Sequence, residues 1–220
     1  MNLLLAGATG LIGQAVVAQW PASAAAADRG TLHLLVRRAL PAPGPNCQVL
    51  QVDFSALPAL PKAESALCAL GTTIKTAGSQ AAFRAVDFDA VLAFARASKA
   101  AGVRRFAVVS SLGASASSSS FYSRVKGEME VALGALGFES LLIARPSLLT
   151  GNRAALGQPR RTAEHLAMQL SAPLAALVPA AWRPIAADSV ARALLRALAQ
   201  ARPGLTLLDN ATLHRQGSSV

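Results

Sequence analysis

The fold of this chain is decided by residues 3–13, Leu3-Leu4-Leu5-Ala6-Gly7-Ala8-Thr9-Gly10-Leu11-Ile12-Gly13. A strand-like apolar run enters a G-x-x-G-x-x-G turn, and an apolar helix follows over Leu11–Trp20 until Pro21 ends it. Gly7 suits a tight turn, Gly10 lets backbone approach a phosphate, and Gly13 lets the helix lie close to the strand. The helix N-terminus favours an anion. Residues 7–13 are therefore predicted to bind a dinucleotide, the alternative being an ordinary tight turn.

Length and composition indicate one sizeable α/β domain, because 220 residues with 53% hydrophobic content and a mean hydropathy of +0.40 can bury a large core. No apolar run reaches the roughly 18 residues of a membrane helix, and the start lacks the basic segment of a signal peptide. Cys47 and Cys68 are not spaced as a metal or redox pair. We expect a single cytoplasmic domain over residues 1–220, with no membrane attachment and no metal.

The net charge of +10 arises from 21 basic and 11 acidic residues. The basic residues are scattered, and few aromatic residues lie among them, so no specific nucleic-acid partner is predicted. The charge favours small acidic or phosphorylated ligands instead. A small-molecule substrate is the expected partner, and a homodimer is left open.

Strand-like and helix-like runs alternate along the chain. The predicted strands are short and apolar, as buried parallel strands are: Asn2–Ala6, Thr31–Val36, Gln48–Val52, Ala66–Leu70, Arg105–Ser110, Ser140–Ala144 and Leu205–Leu208. The predicted helices are Leu11–Trp20, Ser79–Ala101, Phe121–Leu136 and Asp188–Ala201. This alternation predicts an α/β fold, a doubly wound parallel sheet in three layers of the Rossmann-like kind.

Ligands of such sheets bind beyond the carboxyl ends of the strands. An acidic residue after the second strand usually holds the ribose of NAD, but Arg37-Arg38 stands there in this chain. Two guanidinium groups attract a 2′-phosphate that a carboxylate would repel, so NADP(H) is favoured over NAD(H). The alternative is a solvated surface pair.

Two further strand ends are predicted to contact the cofactor. Asp53 could accept a hydrogen bond from the adenine amino group and Phe54 could flank the ring, although Asp53 could equally be a helix cap. The stretch Leu70-Gly71-Thr72 is expected to pass close to the cofactor, since glycine permits close backbone approach.

A second group of candidate functional residues follows the fifth predicted strand. Ser110-Ser111 stands at its carboxyl end, and Tyr122 and Lys126 are four residues apart on the next helix, hence on one face. Reduction of a carbonyl needs a proton on oxygen, and a nearby ammonium lowers the pKa of a phenol from about 10 towards working pH. Ser111 can hold the substrate oxygen, and Lys126 can also bond the nicotinamide ribose. The alternative is a surface tyrosine beside a helix lysine.

These motifs resemble the short-chain dehydrogenase/reductase superfamily, in its extended and atypical branches, and more closely the Tat-interacting-protein type of atypical oxidoreductase. The resemblance implies a Rossmann-like fold that binds NADP(H), with Ser111, Tyr122 and Lys126 as the catalytic set. Asp87 stands where many members carry an asparagine that supports a proton relay. The resemblance rests on the glycine turn and on four further runs: Leu70-Gly71-Thr72-Thr73, Ser110-Ser111-Leu112-Gly113-Ala114, Phe121–Glu130 and Arg145-Pro146-Ser147-Leu148-Leu149. It also implies that the last of these runs lies against the nicotinamide.

Substrate specificity is expected in a small lid at about residues 150–185. The leading hypothesis is an NADP(H)-dependent oxidoreductase that acts on a small carbonyl or alcohol. Two alternatives stay open: a non-catalytic, dinucleotide-sensing regulatory protein, and an epimerase or dehydratase that uses bound NAD with the same tyrosine.

Overall fold

The computed structural model describes residues 2–20, 30–151, 179–200 and 202–218. The strands among these residues are β1 (Leu3–Ala6), β2 (Leu32–Val36), β3 (Cys47–Gln51), β4 (Ser65–Cys68), β5 (Arg105–Val109), β6 (Ser140–Arg145), β7 (Leu149–Thr150), β8 (Ile185–Ala186) and β9 (Gly204–Asp209). The helices are α1 (Leu11–Gln19), α2 (Ile74–Ala77), α3 (Gln80–Arg84), α4 (Val91–Ala100), α5 (Phe121–Gly134), α6 (Ala187–Gln200) and α7 (Asn210–Gly217), with a π-helical stretch at Ala85–Ala90.

Seven parallel strands form one sheet in the order β3-β2-β1-β4-β5-β6-β9, and β7 and β8 form a separate parallel pair. The chain builds outward from β1 in one direction and then reverses through β4, which confirms the doubly wound, Rossmann-like prediction. The carboxyl ends of β1 and β4 therefore lie next to each other at the point of reversal, which is where such sheets bind their ligands.

The two faces of the sheet carry two separate hydrophobic cores, because alternate side chains of a strand point to opposite faces. Leu3 and Leu5 pack with α1 and α6 on one face, whereas Leu4 and Ala6 pack with α4 and α5 on the other. All four side chains are fully buried. Helices on both faces give the three layers that were predicted.

All seven predicted strands are present, with ends that differ by no more than two residues. The predicted helix Ser79–Ala101 is wrong as one helix, since the π-helical stretch separates α3 from α4. The prediction of strands buried on both faces fails at the sheet edges, where β3 and β9 are largely half-buried or exposed. The short α2 and α7 were not predicted. The lid prediction at 150–185 falls mainly on residues 152–178, outside the described residues, and the division into one domain stays a prediction.

Two kinds of feature are absent from the described residues. No helix there has both the length and the apolar character needed to cross a bilayer. Nor does that part of the chain bring three or more His, Cys, Asp or Glu side chains together as a metal cluster would require.

Candidate functional site

The glycine turn connects β1 to α1 in a geometry that two of its glycines make possible. Gly7 has a φ of +88°, and a Cβ on it would lie 2.5 Å from the backbone of Ala69. A Cβ on Gly13 would lie 2.1 Å from the carbonyl oxygen of Gly7. Both positions therefore exclude a side chain, because the backbone atoms they would strike cannot move aside cheaply.

Gly10 differs from Gly7 and Gly13, because a side chain at Gly10 would project into open space and not into the backbone. Among the described residues, a Cβ there would meet the Gly7 oxygen alone, at 3.4 Å. Gly10 is the N-cap of α1 and has no side chain to cap it, so the first amide groups of the helix lack intrahelical partners. An open cradle below uncapped amide groups has the chemistry that a pyrophosphate requires, so this end of the site fits the predicted dinucleotide.

Arg37 and Arg38 follow β2 directly and are both exposed. Arg37 lines a shallow depression with Gln51, Val52 and Asp53, where β2 and β3 end side by side. The two guanidinium groups thus stand at the same sheet edge as the glycine turn, one strand away. Their contact with a 2′-phosphate group stays a prediction.

Asp53 and Phe54 have different surroundings in the structure. Asp53 Oδ1 accepts hydrogen bonds from the backbone N–H of Ser55 at 2.9 Å and from its hydroxyl at 2.8 Å, and these bonds lower the pKa of the carboxyl. No helix starts there, so Asp53 stabilises a turn rather than capping a helix. Phe54 is 7% exposed and packs in the core below α4. The ring is therefore part of the core, and its place beside an adenine ring stays a prediction.

Lys126 is held by a buried carboxylate. Its Nζ lies 2.7 Å from Oδ1 of Asp87, and the two side chains are 4% and 0% exposed. Oδ2 of Asp87 accepts the backbone N–H of Thr72 at 2.9 Å, which joins the pair to the end of β4. Burial alone would lower the pKa of Lys126, but the Asp87 carboxylate and the nearby Tyr122 raise it overall. The ion pair with Asp87 therefore stabilises the charged form of Lys126.

The end of β4 adjoins this ion pair, and the contact of Leu70-Gly71-Thr72 with the cofactor stays a prediction. A Cβ on Gly71 would lie 3.4 Å from Asp87 Oδ1 and 3.8 Å from Lys126 Nζ. Gly71 itself is exposed, so it lies between the buried ion pair and the protein surface.

Ser110, Ser111 and Tyr122 lie at the same edge of the sheet. The two serine hydroxyls follow β5, are buried, and have no hydrogen-bond partner among the described residues. Tyr122 is half-buried against the ring of Phe83, with 5.3 Å between ring centroids. Unpartnered buried hydroxyl groups are costly, and a ligand oxygen would satisfy them. These residues thus also fit a ligand at the end of β5.

Hydrogen bonds to three other parts of the protein hold the turn at Arg145–Leu148 in place. Arg145 donates from Nε and Nη2 to the two carboxylate oxygens of Glu130. The carbonyl group of Pro146 accepts the N–H of Leu112, and Leu148 accepts that of Ile185. The Pro146 and Leu148 carbonyl groups and the Arg145 guanidinium are thus already occupied within the protein, and the nicotinamide contact of this turn stays a prediction.

Two residues of this region were missed in the sequence. Glu130 follows Lys126 by four residues, and that spacing on an otherwise apolar helix face was the signal that it points inward. Asn210 is fully buried and bonds Ser147, but no local pattern marks it.

Comparison with known proteins agrees with this geometry. A protein family described as NAD(P)H-binding matches residues 7–201. "Protein FMP52-1, mitochondrial" of Scheffersomyces stipitis is 34% identical over 70% of this chain and 69% of its own length. "Protein HTATIP2" of Rattus norvegicus is 37% identical over 74% of this chain and 67% of its own. These relatives confirm the predicted family.

A solved structure described as "MoeE5 in complex with UDP-glucose and NAD" superposes with a TM-score of 0.70 at 18% identity, over 94% of this chain and 75% of that one. At this identity the likeness establishes the shared fold. The predicted cytoplasmic location is corrected by the comparison, because the FMP52 relatives carry the word mitochondrial in their names.

Proposed function

Because this chain belongs to the NAD(P)H-binding family, in the atypical branch of the short-chain dehydrogenases/reductases, we propose that it is an NADP(H)-dependent oxidoreductase for a small carbonyl or alcohol. The observation that carries the proposal is the meeting of two features at one sheet edge. An open glycine cradle begins α1, and Tyr122 and Lys126 stand on α5 with two unpartnered serine hydroxyls beside them.

The residues that would hold the cofactor extend along the carboxyl ends of the strands. The amide groups at the start of α1 would bind the pyrophosphate, and Arg37 and Arg38 would bind the 2′-phosphate in fork geometry. Lys126 keeps N–H donors beyond the one directed at Asp87, and these would serve the nicotinamide ribose. When bound, NADP(H) would supply or accept the hydride.

Side chains of this protein would transfer the proton and position the substrate oxygen. The Tyr122 hydroxyl would give a proton to the substrate oxygen during reduction and take it back during oxidation. The Ser111 hydroxyl would donate a hydrogen bond to the same oxygen and so fix its position. The buried surroundings of Ser111 and Lys126 exclude water, which strengthens each of these interactions.

Two observations support other functions. Asp87 offsets the charge of Lys126, which favours a dinucleotide-sensing protein without catalysis. The solved structure cited above contains NAD and a sugar nucleotide, which favours an NAD-dependent epimerase or dehydratase. Arg37 and Arg38 support NADP(H) over NAD(H), so we place the oxidoreductase first.

A carbonyl screen tests the proposal. The purified protein is mixed with NADPH and a panel of small aldehydes and ketones, and NADPH oxidation is followed. We expect turnover that Tyr122→Phe lowers at least about 100-fold while NADPH affinity stays within about twofold. Ser119→Ala, which also removes one hydroxyl from an exposed neighbouring position, is the matched control and should keep full activity. Tight NADPH binding without turnover on any substrate would support the sensing function instead.

A further inference from the structure

The strand β9 forms one edge of the seven-stranded sheet, and one of its faces is apolar and exposed. Among the described residues it pairs with β6 alone. On β6, Leu141 and Ile143 are 5% and 3% exposed, and both belong to the core below α4 and α5. Leu205 and Leu207 stand beside them on β9 and are 66% and 47% exposed. The apolar face of that core therefore continues onto β9 but is not covered there.

The backbone of β9 also has hydrogen-bonding groups that point away from the sheet. The N–H of Gly204 donates to the carbonyl group of Glu139, and the parallel register directs the peptide groups of Thr206 towards β6 in the same way. Successive residues of a strand alternate in the direction of these groups, so the N–H and C=O groups of Leu205 and Leu207 point outward. Outward groups on an edge strand are a template on which another strand can pair.

We propose that β9 is the surface through which a second copy of this chain binds, by antiparallel pairing of the two β9 strands about a two-fold axis at Thr206. A two-fold interface requires a surface that is complementary to itself. The sequence Leu205-Thr206-Leu207 reads the same in both directions, so Leu205 of each copy lies opposite Leu207 of the other. Both are then hydrogen-bonded pairs, and four leucine side chains meet on one face of a continuous sheet.

The charges at the two ends of β9 favour the antiparallel direction. Arg202 stands just before the strand and Asp209 ends it, and both residues are exposed. Antiparallel pairing brings the Arg202 end of each strand next to the Asp209 end of the other, whereas parallel pairing would bring like charges together. Between these ends, residues 203–208 carry no charged side chain, so no charge on the strand repels a second copy.

The other exposed apolar features of the described residues are less suited to pairing. The loop Pro58–Pro61 lies beside β3, the strand at the opposite edge, and lines a depression with its residues. Val131 on α5 and Trp182 before β8 are also exposed, but each is a single large apolar side chain on its element. Only β9 combines two such side chains with an unpaired strand edge in the described part of the chain.

Sedimentation velocity of the full chain at about 100 µM protein tests the interface, and we expect a dimer that dissociates on dilution, since one strand pair is a small interface. Leu205→Lys places a charge on the edge and should weaken the dimer at least about tenfold. Val131→Lys changes an equally exposed apolar residue on α5, so it is the matched control and should leave the dimer unchanged. Circular dichroism checks that both variants are folded.

A disulfide test determines the register and uses variants close to the wild type. In Thr206→Cys the two new thiols would face each other across the two-fold axis, where Cα atoms lie about 4.5 Å apart and a disulfide can form. In Leu205→Cys the two thiols would be diagonal neighbours at about 7–8 Å, which is farther than a disulfide spans. Both variants also carry Cys47→Ser to remove the half-buried native thiol, and Cys68 is fully buried.

Under oxidation we expect Thr206→Cys to form a product of twice the 22.5 kDa of one chain at least about fivefold faster than Leu205→Cys does. The proposal is overturned if the wild type sediments as a monomer, or if folded Leu205→Lys dimerises as the wild type does. It is also overturned if Leu205→Cys links as fast as Thr206→Cys. Neither experiment measures cofactor binding or turnover, so failure of the proposed function would leave these results unaffected.

Discussion

Asn210 accepts the backbone N–H of Ser147 at 2.9 Å, although 63 residues separate them in the chain. The Asn210 side chain is fully buried, and its Nδ2 donates to the carbonyl oxygens of Ala180 and Arg183 at 2.8 Å each. One amide side chain therefore joins the turn after β6 to the segment that enters β8. The predicted nicotinamide end of the site depends on this connection.

Asn210→Ala should lower the free energy of unfolding by about 2–4 kcal/mol, because it leaves the Ser147 N–H without its partner and removes the two bonds from the buried Asn210 side chain to the carbonyl groups of Ala180 and Arg183. Chemical denaturation at neutral pH measures the loss. Asn46→Ala, an exposed asparagine, is the matched control and should change stability by less than about 0.5 kcal/mol. A loss below 1 kcal/mol for Asn210→Ala would mean that the connection is dispensable.

Gly13 and Gly10 should respond in opposite ways to alanine. In Gly13→Ala the new Cβ meets backbone at 2.1 Å, so we expect unfolding to become easier by about 2–3 kcal/mol. In Gly10→Ala the Cβ occupies the open cradle, so stability should hold while NADPH affinity falls at least tenfold. Thermal melting and calorimetry measure the two effects.

Gly44→Ala is the control for both glycine variants, because a Cβ there would meet no described atom within 4 Å. It should leave melting and NADPH affinity unchanged. If Gly10→Ala binds NADPH as wild type does, the cradle is not the phosphate site.

Arg37→Ala and Arg38→Ala should weaken NADPH binding about 10- to 100-fold each, because a charge-assisted bond to the 2′-phosphate is lost. NADH lacks that phosphate, so its affinity should change less than threefold. Arg96→Ala removes an exposed arginine from α4 and should affect neither cofactor. An equal loss for NADPH and NADH would assign the arginines to general attraction rather than to the 2′-phosphate.

His33 on β2 should make the protein sensitive to acid. Its side chain is 5% exposed, and burial lowers its pKa below the ordinary 6.5. Below pH 6.5 the unfolded state binds a proton that the folded state resists, so stability falls with pH until the lowered pKa is passed. Each unit by which the pKa of His33 in the folded state lies below its pKa in the unfolded state corresponds to about 1.4 kcal/mol of stability.

Denaturation of wild type and His33→Gln at pH 8, 6.5 and 5 checks this. We expect the wild-type curve to fall more steeply than that of the variant between pH 6.5 and pH 5. Parallel curves would show that His33 does not cause the acid sensitivity.

The seven strands of the sheet could be predicted because each is a short, largely apolar run between turn signals, although the edge strands β3 and β9 are not buried. The π-helical stretch could not, since Ala85–Ala90 keeps the composition of an ordinary helix. One inserted residue there turns Asp87 inward towards Lys126. The sequence marked the aspartate as a departure from the superfamily without showing what it contacts.

The contacts within the site that the sequence could not predict have one physical origin. Phe54 after β3 could have flanked a ligand or entered the core, and an aromatic residue satisfies either place by its sequence alone. Arg145 and Asn210 take partners from other elements, and such pairings are set by the packing of the sheet. Glycine positions were predictable because the turn itself requires them.

Calorimetric titration of the wild-type protein with NADPH and with NADH tests the central claim most directly. We predict one site that binds NADPH at least about tenfold more tightly than NADH, as expected if Arg37 and Arg38 bond the 2′-phosphate. No heat of binding with NADPH, or tighter binding of NADH, would contradict it.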